Sequence, residues 1–131
     1  MSYPFDKEPV APNSLFNLDL EKQFLSSVIR NPSVLADCPQ VTEKSFSVTN
    51  RCVFAAIRAM QASNQEVNEY TLVARLDGLN VKIGGELEPK NYIPALAMMG
   101  VAEHAAESIG KELVALEINR EMWLVGQRIS V

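Results

Sequence analysis

Few residues of this chain stand at the spacings that catalysis would use. The one Gly-Lys pair, Gly110-Lys111, is followed by Glu112, and the position five before Gly110 is Ala105. A phosphate-binding P-loop needs a glycine at that earlier position and a serine or threonine after the lysine. Its backbone N–H groups wrap the phosphates and its hydroxyl reaches magnesium. Gly84-Gly85 lacks the preceding strand that a nucleotide-binding turn requires. His104 is the only histidine, with Glu103 and Glu107 close enough to orient it as a base. No serine or cysteine is placed by sequence to be its nucleophile, so it reads as an exposed residue near a helix start. Cys38 and Cys52 with one histidine fall short of a four-ligand zinc site. They read as two reduced, packed thiols of a cytoplasmic protein. Catalytic, cofactor-binding and metal residues are all expected to be absent.

The charged residues point the same way. Glu107, Glu112, Glu117 and Glu121 read as a solvated helix face, with Glu107 and Lys111 an i, i+4 pair of ~0.2–0.5 kcal/mol. Arg51, Arg58, Arg75, Lys82 and Lys90, with Tyr70 or Tyr92 for stacking, could touch a single strand. A net charge of −4 and a pI near 5.0 argue against tight backbone binding, so direct DNA contact is expected to be weak or absent. The 131 residues fit one domain, and 47% apolar with 21% charged is ordinary for a soluble protein. No signal segment opens the chain, and no run approaches the ~18–20 apolar residues of a membrane span. No membrane partner is expected.

The elements that would position these groups read as all-α. Residues 1–13 carry three prolines and a charge cluster, which predicts a flexible arm in which Tyr3 and Phe5 could dock on a neighbour. A first helix is predicted over Leu18 to Arg30, capped by Asn17, with Asp19 and Glu21 suiting the positive end of its dipole. Asn31 and Pro32 start a short helix that ends before Cys38-Pro39. A turn over Thr42 to Ser45 and an anchoring Phe46 lead to a third helix, Asn50 to Ala62. A fourth starts at the cap Asn68, with Leu72, Val73, Leu76 and Leu79 at helical spacing. Lys82 to Gly85 is a turn, Glu86 to Asn91 a polar loop, and Pro94 to Met99 a fifth helix ended by Gly100. These elements form a helical head over residues 14–100, followed by one long helix in residues 101–131.

That long helix carries two apolar stripes. Ile109, Leu113, Leu116 and Trp123 form one, with a gap at Arg120. Val114, Ile118, Met122, Val125 and Ile129 form the other, at steps of four, four, three and four. A helix lying on a single core needs one stripe. Two predict either a fully buried central helix or a helix that packs on its own head and on a partner.

The order of these blocks resembles the N-terminal domain of replicative DNA helicases of the DnaB type. Leu20-Glu21-Lys22-Gln23-Phe24-Leu25 followed by Asn31-Pro32 is similar to the family's opening helix. Thr49 to Phe54, Val67 to Leu76, and Ile83-Gly84-Gly85 followed by Tyr92-Ile93-Pro94-Ala95-Leu96 resemble its next blocks. Lys111 to Met122 looks like its hairpin helix. The chain departs from the family in the six residues between Gly85 and Tyr92, and in having Val48, Thr49 and Asn50 before the third helix. These departures fit a phage or plasmid version.

The resemblance implies a small head plus the first half of a helical hairpin, self-association into a hexameric collar, and docking of primase or a helicase loader. ATP and magnesium would belong to a separate motor domain. By this reading Leu116 and Trp123 join the second stripe as partner-interface residues. The chain would be either a piece of a longer helicase or a stand-alone relative. Three functions compete: a non-catalytic oligomerisation and primase-interaction domain, a stand-alone phage adaptor acting as loader or inhibitor, and a small helical enzyme or nucleic-acid binder. Whether the reading frame continues into a P-loop domain separates the first two. A steep salt dependence of single-strand binding would support the third.

Overall fold

The computed structural model describes residues 11–129, apart from the side chains of Asn13, Arg128 and Ile129. The predicted arm lies almost wholly outside the described residues, as do Tyr3 and Phe5. Five α-helices follow: α1 (Leu18–Arg30), α2 (Val48–Ala62), α3 (Glu69–Gly78), α4 (Pro89–Met98) and α5 (Ala106–Ile129). Short 3-10 turns at Asn13–Leu15, Pro32–Asp37, Glu43–Ser45 and Glu103–Ala105 join them. Among the described residues the only β pairing is one isolated bridge, Ile83 with Leu87. The fold is all-α.

Local chemistry accounts for most boundaries. The Asn17 side chain accepts from Leu20 N–H at 3.1 Å and starts α1. The Asn68 side chain accepts from Tyr70 and Thr71 N–H at 2.9 Å, and Thr71 Oγ1 accepts from Asn68 N–H in return. This reciprocal box starts α3. Gly84 and Gly85 turn the chain after α3 at φ 64° and 86°, values that disfavour any side chain.

Four boundaries differ from expectation. The segment from Pro32 is a 3-10 turn, because the six residues Pro32–Asp37 before the Cys38-Pro39 stop leave little room for α-helical bonding. Helix α2 starts at Val48, two residues early. Helix α4 starts at Pro89 in the predicted polar loop and carries Pro94 inside it. Pro89 takes the first-turn position that suits proline. Helix α5 starts at Ala106, because Gly100 at φ 65° and the 3-10 turn Glu103–Ala105 reset the chain direction first. Leu79, expected to pack, is 62% exposed just past the end of α3.

The core joins α1, α2 and α4 with the first turns of α5. Phe24, Phe46 and Phe54 are fully buried, with ring centroids 5.9 Å apart for the first pair and 4.7 Å for the second. Leu72, Leu76, Ile93 and Leu96 close it from α3 and α4. Buried Ser27 of α1 donates to the Ala102 carbonyl at 3.3 Å, which ties the link before α5 to α1. At Gly110 a Cβ would stand 3.1 Å from Val41 Cγ2 and 3.3 Å from Phe24 Cε2. Glycine there lets α5 lie close against α1.

Candidate partner-binding face of the last helix

Helix α5 changes character at its middle. Through its first turns Ala106, Ile109 and Leu113 are buried against the core. Continuing that line at helical steps gives Glu117, Arg120 and Leu124. Glu117 and Leu124 are half-buried, and Arg120 is only 6% exposed. The expected gap in the first stripe is therefore an inward-facing charge. Leu116 and Trp123 are half-buried and flank this line on one side.

The second stripe runs along the other side, about 140° round the helix at ~100° per residue. Ile118, Met122 and Val125 are 51%, 67% and 49% exposed. Val114 differs from the expectation that the whole row turns away from the head. It is half-buried and packs against the core, because its position borders the seated face. It also lines a groove of about 170 Å³ between α5 and the segment Asp37 to Val41. The Ile129 side chain lies outside the described residues.

The inner polar residues are held by the two short turns. Arg120 Nη1 donates to the Leu15 carbonyl at 2.9 Å and Nη2 to the Lys44 carbonyl at 2.8 Å. Its guanidinium lies 4.2 Å from the Phe16 ring centre. Burial pulls its pKa down, and the negative charges of Glu21 and Glu117 oppose that shift. Glu117, expected on a solvated face, accepts from Ser45 Oγ at 2.7 Å. Glu107, Glu112 and Glu121 are exposed, and Glu107 pairs with Lys111 at 3.5 Å.

A second polar cluster lies at the start of α2. Glu21 is fully buried and accepts three bonds: Ser47 N–H at 3.0 Å, Ser47 Oγ at 2.7 Å and Asn50 Nδ2 at 2.8 Å. Its carboxylate thus occupies the positive end of α2 and not of α1. With Ser47 as cap and Glu21 holding it, α2 starts where it does. Tyr92 of α4 donates its hydroxyl to Asn50 Oδ1. Burial, with the nearby Glu21 charge, pushes the Tyr92 phenol up to about 12.

The residues weighed for other chemistry are mostly engaged elsewhere. Arg51 donates to the Glu43 and Phe46 carbonyls. Arg58 lies over Phe54, Arg75 bonds Gln65, and Lys82 pairs with Glu88 at 3.1 Å. Tyr92 is turned inward, while Tyr70 is 77% exposed. His104 is exposed. Cys38 and Cys52 are free, and burial raises both thiols. Among the described residues no cluster of three or more His, Cys, Asp or Glu could hold a metal ion. No helix there is long and apolar enough to cross a membrane.

Residues 13–111 match the family described as DnaB-like helicase N terminal domain. No curated protein sequence matches the chain. Among solved structures, the crystal structure of the N-terminal domain of DnaB helicase from Mycobacterium tuberculosis is similar, at 17% identity and a TM-score of 0.78. The alignment covers 88% of this chain and 83% of that one. At that identity the likeness is one of fold. The family match takes in the whole head and the first turns of α5, and the exposed row lies beyond it. On the strength of that match, this chain belongs to the DnaB-like helicase N-terminal domain family.

Proposed function

We propose that the chain is a non-catalytic oligomerisation and partner-docking domain of a replicative DNA helicase, and that the exposed row of α5 is its contact surface. One observation carries this reading. Ile118, Met122 and Val125 stand exposed in a single row on a helix whose opposite face is already seated. Contiguous apolar side chains of that kind mark interaction sites more often than chance exposure does. The groove beside Val114 continues it toward the head, and Leu116 and Trp123, half-buried on the other flank of the seated line, offer a second contact strip. The partner surface is a second copy of this chain, with primase or a helicase loader as further ligands.

Sedimentation velocity over a concentration series tests the assembly. The chain should self-associate, and Ile118→Asp or Leu116→Asp should weaken association by about tenfold or more, as burying an unpaired charge requires. A monomer at every concentration, unchanged by either substitution, would overturn the proposal. Titrating primase against the chain and against Ile118→Asp tests the second ligand. Equal affinities would remove the row from that role.

A further inference from the structure

The two halves of α5 are held to the head by different forces. The first half is seated by apolar packing, with Ala106, Ile109 and Leu113 in the core and Gly110 pressed on Phe24, Val41 and Cys38. From Glu117 onward the held face is mainly polar. Its fastenings include the Glu117–Ser45 bond and the Arg120 bonds to the Leu15 and Lys44 carbonyls, with Phe16 against the guanidinium. All of these reach the two short 3-10 turns, Asn13–Leu15 and Glu43–Ser45, and the residue beside one of them. Arg120 has no carboxylate within ion-pair distance among the described residues. A buried cation held by two carbonyls and a ring face balances its own desolvation against few contacts, so little free energy separates fastened from released.

We propose that Arg120 is a latch. It pins the distal half of α5 to the two turns, and when its bonds to them break that half leaves the head from a hinge between Leu113 and Glu117, and both turns loosen with it. A detached helical segment this short is marginal in water, so release unwinds it and opens its amides. The hydrogen-bonded amides of Leu15 and Ser45 report on the turns, because their bonds run to Pro12 and Thr42. The latch does not rest on the assembly reading above. A protein that never self-associates still has it.

Native-state hydrogen exchange on the whole chain, read amide by amide with increasing denaturant, decides the matter. The amides of Glu117 to Gln127 and of Leu15 and Ser45 should share one opening rate that hardly depends on denaturant. Those of Ile109 to Leu113 should open only with the whole domain. Arg120→Lys keeps the charge but loses the two-pronged geometry. It should speed the first group by about tenfold and leave the second unchanged. Three results overturn the latch. One is a smooth gradient of exchange from Gln127 inward with Leu15 and Ser45 not following, which is end fraying. Another is a single rate for all of α5. The third is an unchanged first group in Arg120→Lys. The wild-type measurement stands even if the variant folds poorly. Repeating it at about tenfold lower concentration separates release from any protection by self-association.

Discussion

Among the described residues two charged side chains are buried, and they are satisfied in opposite ways. Glu21, at the joint of α1 and α2, receives three short bonds, all from residues at the start of one helix, and adds its charge to the positive end of that helix. Arg120, at the joint of α5 with the head, gives two bonds to carbonyls of two peripheral turns. The Glu21 joint is internal, with Glu21 and Asn50 fully buried and Ser47 half-buried. The Arg120 joint is at the margin, beside a groove of about 210 Å³ lined by Phe16, Lys44, Glu117 and Leu124, and carbonyls released there can turn to water. A buried charge can therefore be a keystone or a fastener, depending on whether the partners it leaves behind stay buried.

The largest effect should come from breaking the first joint. Glu21→Leu leaves the Ser47 amide, the Ser47 hydroxyl and the Asn50 amide without an acceptor, and strips the α2 terminus of its negative charge. Removing one side of a buried charged network costs about 3–5 kcal/mol. Urea unfolding should show a loss of that size, with cooperativity kept. A loss below about 1 kcal/mol would mean that water or a rotated side chain replaces the carboxylate, as a neutral exposed site would allow.

The same joint should show in alkaline stability. The Tyr92 phenol is raised to about 12 in the folded state, by burial first and by the Glu21 charge second. Between the unfolded value near 10 and that value, the folded chain keeps a proton that the unfolded chain has lost. Its contribution is complete below about pH 10 and disappears as pH rises through about 12, a loss on the order of 2 kcal/mol. Tyr92→Phe removes this titration. Wild type and variant should thus diverge over that window, with wild type falling faster in urea midpoints. Parallel curves would show that Tyr92 is free to ionise in the folded chain.

How far the sequence foretold this arrangement differs between the apolar and the polar interior. Helical spacing and caps located α1, α3 and most of α2, because Phe24, Val28, Val53, Ile57, Leu72 and Leu76 recur at steps that only a helix puts on one side. The family resemblance rested on those same blocks. The polar interior was not legible. Glu21 stands in the first turn of α1, where an acid suits that helix's own dipole, and nothing local says that it serves α2, 26 residues away. Arg120 looked like an interruption of a stripe. One signal was present. Arg120 falls on the same helical line as Ala106, Ile109 and Leu113, where a charge either breaks the packing or is taken into it. Helix α4 was misread for a similar reason. Both Pro89 and Pro94 can open a helix, and only the tertiary setting chooses Pro89.

The smallest global effect should come from Arg120, although it is nearly as buried as Glu21. Arg120→Met keeps an apolar side chain of similar length at that position and removes the charge with its desolvation penalty. The two carbonyls left behind belong to surface turns and can bond water. Exchanging a buried ion for an apolar side chain of similar volume is often near neutral, so global stability should change by less than about 1 kcal/mol in either direction. Calorimetry on Arg120→Met and Glu21→Leu side by side tests the contrast directly. If Arg120→Met lowers the melting temperature as much as Glu21→Leu, then α5 is anchored along its whole length and the two buried charges have the same role. A melting temperature close to wild type, together with a circular dichroism signal that loses helix well before the main transition, would place Arg120 outside the cooperative core and leave Glu21 within it.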